Sequence, residues 1–191
     1  MDQSGRGPHF FGYGSLVNRS THDYAPVRAA RVTGWRREWR RSPMREIAFL
    51  TVVRAPGVVL EGLMAEVPGA DWAALDAREF AYERVALGAE AEHDLHPETD
   101  VAIYAIPEGQ HHAPTPESPV LLSYLDVVVQ GYLREFGEAG VAGFFETTQG
   151  WDAPILDDRA APLYPRHRVL TAAERDLVDR WLLRVDARKM P

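Results

Sequence analysis

Phe10-Phe11-Gly12-Tyr13-Gly14-Ser15-Leu16-Val17-Asn18 is a short apolar run that enters a turn with two glycines and closes beside a small hydroxyl residue. Glycine adopts positive φ freely, and without a side chain it lets a ligand approach the backbone closely. Successive N–H groups exposed in such a turn make a concave donor surface suited to a carboxylate or a polarised carbonyl. The stretch therefore reads either as a cradle for an anionic small molecule or as a plain tight turn after an edge strand. Stronger motifs are excluded. Val17 stands where a dinucleotide fingerprint needs its third glycine, and no Lys follows as in a phosphate-binding loop. Ser15 is not flanked as in a G-x-S-x-G nucleophile elbow.

Outward from this turn, 191 residues with 46% apolar and 26% charged content describe one ordinary globular domain, residues 1–191. The chain holds 0 cysteines, which removes disulfides, thiolate metal sites and a cysteine nucleophile. Met1 to His9 contains no apolar signal core, and no run approaches membrane-spanning length, so a cytoplasmic protein without membrane attachment is expected. The net charge is −7, yet Arg28 to Arg45 is rich in arginine. That run is either a polyanion-binding face, as in a non-catalytic binding module, or a solvated sheet face; the acidic total favours the second, and no nucleic-acid partner is expected. Period two places Trp35, Arg37 and Trp39 on one face. Arg37 is then either stacked on tryptophan or a pocket guanidinium holding a substrate carboxylate.

Two strands follow, Glu46 to Arg54 and Val58 to Val67, with Ala55-Pro56-Gly57 as the turn between them. Asp71 is an N-cap for a short helix from Trp72 to about Phe80. Tyr82 to Glu92 and Asp100 to Ile106 read as strands. Ser118-Pro119 opens a helix stopping at Gly137, with Leu121, Leu125, Val128 and Tyr132 as its packed stripe. Ala153 to Arg168 reads as a proline-rich cover. Thr171 to Glu174 has capping-box spacing for a last helix through Leu177, Val178, Trp181 and Leu182. His93, His96, His111 and His112 lack the placed ligand set of a metal site, and no metal is assigned. Strands followed by late helices indicate an α+β fold with a mixed or antiparallel sheet.

Glu79 is the side chain that bears on chemistry. At about 100° per residue it projects between Leu75 and Tyr82, toward the face the short helix turns to the sheet. A carboxylate buried there raises its pKa, which suits a general base near neutral pH. The competing reading is an ion pair with Arg78 or Arg84.

Phe11-Gly12-Tyr13-Gly14-Ser15-Leu16, followed downstream by Leu75-Asp76-Ala77-Arg78-Glu79-Phe80-Ala81-Tyr82-Glu83-Arg84-Val85, resembles the γ-glutamylcyclotransferase superfamily, which includes the AIG2-like and ChaC-like proteins. Gly34-Trp35-Arg36-Arg37-Glu38-Trp39 resembles a Gly-aromatic-x-Arg-x-aromatic segment of the ChaC-like branch. The resemblance covers residues 10 to 106 and leaves the C-terminal third unexplained. It implies an α+β fold with flanking helices around a small mixed or antiparallel β-barrel. It also implies a reaction in which the α-amine of a γ-glutamyl compound attacks its own γ-carbonyl, releasing 5-oxoproline and an amine without a metal or organic cofactor. Glu79 matches the catalytic glutamate, and Tyr13, Gly14, Ser15 and Leu16 match the substrate loop. Tyr82 follows the glutamate as the family's tyrosine does, and joins Arg37 as a substrate-binding candidate. Phe80-Ala81 departs from the small residue and Gly-Tyr of the ChaC-like pattern, so the leaving amine is not named by the resemblance.

Overall fold

The computed structural model describes residues 7–43 and 46–191; Met1 to Arg6, and Arg45 at the end of the basic run, lie outside the described residues. The chain opens with β1 (His9–Gly12), then β2 (Val27–Arg40) and β3 (Phe49–Glu66). A short helix α1 (Trp72–Arg78) precedes β4 (Glu83–Ala86), β5 (Ala91–Glu92) and β6 (Val101–Ala105). The last third holds β7 (Val120–Leu121), α2 (Leu122–Glu146), β8 (Thr148–Gln149), β9 (Pro154–Leu156), α3 (Ala172–Arg184) and β10 (Arg188–Met190). The main sheet has the order β4-β6-β1-β3-β2-β5, with β8 against β2, and it curls into a half-barrel. It is mixed: β1 runs antiparallel to β3 and parallel to β6.

The sheet is dominated by the long β2–β3 ribbon, in which Val27 faces Ala65 at one end and Arg40 faces Phe49 at the other. Ala55-Pro56-Gly57 is therefore no turn between two strands. It is a bulge inside one strand, where the register shifts between Thr33 and Trp35. Gly34 (φ +88°) and Gly57 (φ +82°) sit across this kink and supply the left-handed backbone it needs. The hydrophobic alternation persists beyond it: Trp35, Arg37 and Trp39 are buried, while Arg36, Glu38 and Arg40 are partly exposed.

Helix α2 starts at Leu122, later than Ser118-Pro119 predicts. Leu121 offers no side-chain cap; the buried carboxylate of Asp158 does the work from the cover segment. It accepts from the Ser123 backbone N–H at 2.8 Å, the Ser123 hydroxyl at 2.5 Å and the Leu163 N–H at 2.8 Å. Gly137 breaks the helix (φ +66°) as its position predicts, but the chain re-enters helical geometry up to Glu146. Leu121, Leu125, Val128 and Tyr132 are all buried, so the first part of α2 fills the hollow of the sheet. Thr171 and Glu174 form the capping box of α3. Arg159 forks onto Asp126 of α2 at 2.7 and 2.8 Å and bonds Asp179 of α3 at 3.0 Å, pinning the cover to both helices.

The basic run does not make a bare cationic face. Arg28 pairs with Asp94, Arg31 with Glu61 and Arg40 with Glu38, while Arg37 is buried. Among the described residues no helix is long and apolar enough to cross a membrane, and no cluster of three or more His, Asp or Glu is arranged to hold a metal.

Candidate active site

The glycine turn after β1 is held from several directions. Gly14 precedes a 3-10 turn, Ser15–Val17. The Asn18 amide then donates to the Val127 carbonyl and to Gln130 Oε1 of α2, both at 3.0 Å, while its carbonyl side accepts from Ser20. Gly131 lets α2 come this close: a Cβ there would lie 2.6 Å from the Asn18 nitrogen. The glycines of the turn serve space rather than handedness. Gly14 has φ −120°, and a Cβ on it would meet the Tyr124 hydroxyl at 2.6 Å; one on Gly12 would meet the Leu16 side chain at 2.2 Å.

Glu79 caps the C-terminus of α1, its N–H bonded to the Leu75 carbonyl at 2.9 Å. Its side chain is 33% exposed rather than packed away, and Arg78 Nε stands 4.0 Å from Oε1, at the limit of an ion pair. Arg84, the other arginine near it in sequence, forks onto Asp76 instead, at 3.0 and 3.2 Å. The carboxylate is thus not locked. It opens onto a cavity of about 410 Å³ whose walls also include Tyr13, Gly14, Ser15, Leu16 and Tyr82. The Tyr82 hydroxyl donates to the Leu50 carbonyl at 3.1 Å, tying the segment after α1 to β3.

Arg37 does not join them. Its guanidinium lies behind the loop, in a separate hollow with Tyr132, Gly143 and Thr147. Nε donates to the Tyr13 carbonyl at 2.9 Å, and the other nitrogens donate to Thr147 Oγ1, the Glu61 carbonyl and the Tyr132 hydroxyl. Neither sequence reading of Arg37 survives, since its aromatic neighbours are Tyr132 and Phe144 rather than tryptophan. Period two located the buried face correctly, but it does not say which cavity that face borders.

The cavity wall also holds residues that local patterns could not find. Six of the 7 tyrosines line it: Tyr13, Tyr24, Tyr82, Tyr104, Tyr124 and Tyr164. The hydroxyl of the remaining one, Tyr132, lies 3.0 Å from the Tyr13 carbonyl. The phenols of Tyr13 and Tyr124 are pushed well above their ordinary value, chiefly by burial, and the charge of Glu79 adds to the rise at Tyr13. They stay neutral hydrogen-bonding groups at physiological pH. His22 is held below the usual imidazole range, chiefly by burial, with Arg166, Arg19 and Arg78 contributing against the opposing Leu16 carbonyl bond. Its Nδ1 accepts from Tyr24 N–H at 3.2 Å, so Nε2 carries the proton toward the Leu16 carbonyl at 2.9 Å. Arg78, which donates to the Tyr24 hydroxyl, and Arg166 complete the lining. The ionised groups on the wall are two guanidiniums and one carboxylate.

No family model and no curated protein matches the sequence. Solved structures do match in fold. A structure described as gamma-glutamyl cyclotransferase superposes with a TM-score of 0.51 at 14% identity, over 91% of this chain and 98% of that one. An uncharacterised protein of Homo sapiens gives 0.52 at 14% identity, over 91% and 99%. YkqA from Bacillus subtilis gives 0.54 at 15% identity, over 78% of this chain and 58% of its own. The chain has the fold of the γ-glutamylcyclotransferase superfamily.

Proposed function

We propose that this chain is a γ-glutamyl cyclotransferase, with Glu79 as general acid and base and the Tyr13–Leu16 loop as the cradle for the glutamyl group. One observation carries the reading: the Glu79 carboxylate and the glycine loop border the same cavity of about 410 Å³. In the proposed reaction Glu79 takes a proton from the α-ammonium. The freed amine attacks the γ-carbonyl carbon, forming the new C–N bond of 5-oxoproline. The bond to the leaving amine breaks as Glu79 returns the proton to its nitrogen, and the second proton of the ring nitrogen follows by the same carboxylate, so that the amine leaves as its ammonium and the ring as the neutral lactam. A positioned acid–base group of this kind contributes about 10²–10⁴-fold. Backbone N–H groups of the loop stabilise the carbonyl oxygen as it gains charge, each worth about 3 kcal/mol. Folding the donor so that amine and carbonyl meet at about 3–3.5 Å supplies the rest. The protein is expected to act on a small γ-glutamyl compound.

The test is release of 5-oxoproline from a panel of γ-glutamyl amino acids, peptides and amines, with Glu79→Gln beside the wild type. Loss of at least about 10²-fold in turnover by a folded Glu79→Gln protein is expected. A variant as active as the wild type would falsify the assignment.

A further inference from the structure

We infer that Arg166 selects γ-glutamyl donors whose leaving amine bears a carboxylate, an amino acid or a peptide rather than a plain amine. This rests on the cyclotransferase reading and adds its substrate class. Arg166 belongs to the cover segment that no sequence motif explains, yet its backbone is fixed at the cavity mouth. On one side Tyr164 is buried, its N–H bonded to Ser123 Oγ at 3.3 Å and its ring edge-on to Tyr124 at 5.0 Å. A turn follows, in which the His167 N–H donates to the Tyr164 carbonyl at 3.0 Å. On the other side Arg168 bonds Ser20 Oγ at 3.0 Å and the carbonyls of Arg166 and His167 at 3.3 and 2.9 Å. The Arg166 guanidinium itself sits 5.8 Å from the Tyr164 ring. Among the described residues no carboxylate lies within ion-pair distance of it.

The charges on the wall then decide what the donor should carry. Arg78 and Arg166 face Glu79 alone, since His22 is neutral. A γ-glutamyl head group brings one ammonium and one carboxylate on the same carbon. The ammonium pairs with Glu79, and its neighbouring carboxylate falls beside Arg78, the next residue in the chain. A plain amine as leaving group leaves Arg166 unmatched, whereas an amino acid or peptide brings the second carboxylate it can bind in a fork. The local cation pair also offsets the repulsion that a chain of net charge −7 exerts on an anionic donor. The field of Arg166 is felt well inside the cavity, at His22, Tyr24 and Tyr124.

The experiment compares γ-glutamyl-alanine with γ-glutamyl-alaninamide, which differ only in the distal carboxylate, in the wild type, Arg166→Gln and Arg166→Lys. Turnover is followed by 5-oxoproline release. Binding is followed by calorimetry in the Glu79→Gln background, where the donors persist. The wild type should prefer the free carboxylate by about 3- to 5-fold in kcat/KM, as a pair with an exposed guanidinium allows. Arg166→Gln should bring the ratio to about one, and Arg166→Lys should keep part of it. Equal turnover of both donors by the wild type overturns the inference and leaves the cyclotransferase reading standing. Absence of 5-oxoproline with binding that still depends on the distal carboxylate and Arg166 overturns that reading and keeps the recognition. Neither turnover nor such binding removes both.

Discussion

Arg37 donates from Nε to the backbone carbonyl of Tyr13 at 2.9 Å, from the side of the loop opposite the cavity. A trans peptide holds its C=O and N–H antiparallel, so fixing the Tyr13 carbonyl aims the Gly14 N–H the other way, toward the wall that Gly14 lines. The Tyr132 hydroxyl, which accepts from Arg37, lies 3.0 Å from the same carbonyl and 2.8 Å from the Glu61 carbonyl of β3, with one proton to give to either. The buried cation is thus a positioning residue for a backbone donor. Arg37→Met and Tyr132→Phe should lower kcat more than they raise KM, because the donor is needed most as negative charge develops. A purely structural role predicts a stability loss with kcat and KM unchanged in the folded fraction. Steady-state kinetics beside urea denaturation separates the two.

The close approach at Gly14 gives a second prediction, independent of activity. Its φ of −120° is not left-handed, and the cost that the double variant isolates is the contact the new Cβ makes. The new Cβ would meet the Tyr124 hydroxyl at 2.6 Å but the ring carbon bearing it only at 3.9 Å. Tyr124 cannot swing aside, being wedged edge-on between Trp39 and Tyr164. Gly14→Ala should therefore destabilise the fold by about 1–3 kcal/mol. Adding Tyr124→Phe removes the offending oxygen, and the double variant should recover much of that loss. Additive effects in the double-mutant cycle, measured by chemical denaturation, would remove the argument.

What could be read from the chain was what depends on near neighbours. Asp71 caps α1, accepting from the Ala74 N–H at 3.1 Å, Thr171 and Glu174 cap α3, and Gly137 interrupts α2. The burial alternation of Trp35, Arg37 and Trp39 follows from period two alone. What could not be read depends on distant partners. Ala55-Pro56-Gly57 carries every mark of a turn, and only the pairing of β3 with β2 on both sides makes it a bulge. The cap of α2 comes from Asp158, far along the chain, so Ser118-Pro119 was a local signal without a local helix. Tyr124 falls inside the predicted helix without being marked by its stripe, and Tyr164 and Arg166 fall in the predicted cover, although all three border the cavity. The one usable hint was composition. A cavity that gathers six of 7 tyrosines leaves its trace in the tyrosine positions even where the spacing is silent.

The Asp126–Arg159–Asp179 cluster holds the cover segment, and with it Tyr164 and Arg166, onto the helices. The Asp126 side chain is 7% exposed and that of Arg159 16%. Removing one partner of such a pair strands the other charge, at a cost of about 3 kcal/mol. Arg159→Met should show this loss at neutral pH. Burial already raises the Asp126 carboxyl above its usual value, and Arg159 opposes that rise. Without the guanidinium the carboxyl rises further, so the native state binds a proton more readily than the unfolded chain and gains stability as pH falls. The deficit of Arg159→Met should accordingly shrink toward acid pH, and Asp126→Asn in the same chain should recover stability at pH 7. Urea titrations at the two pH values test both; a deficit that does not vary with pH would mean that Asp126 is not the stranded group.

His22 supplies the last prediction, because its ring is wired as the neutral tautomer. Nδ1 accepts from the Tyr24 N–H and Nε2 donates to the Leu16 carbonyl, so protonation at Nδ1 removes one bond and places a cation near Arg78 and Arg166. The folded-state pKa lies below the ordinary imidazole value, chiefly through burial. The unfolded chain therefore binds the proton first as pH falls. The stability that the neutral ring contributes is complete above about pH 6.5 and is lost progressively below it, down through the folded-state pKa. Thermal unfolding between pH 7.5 and about 5, above the range where most carboxylates titrate, should show Tm falling for the wild type and falling less for His22→Gln. Parallel Tm profiles for the two proteins would show that the His22 proton is not linked to folding.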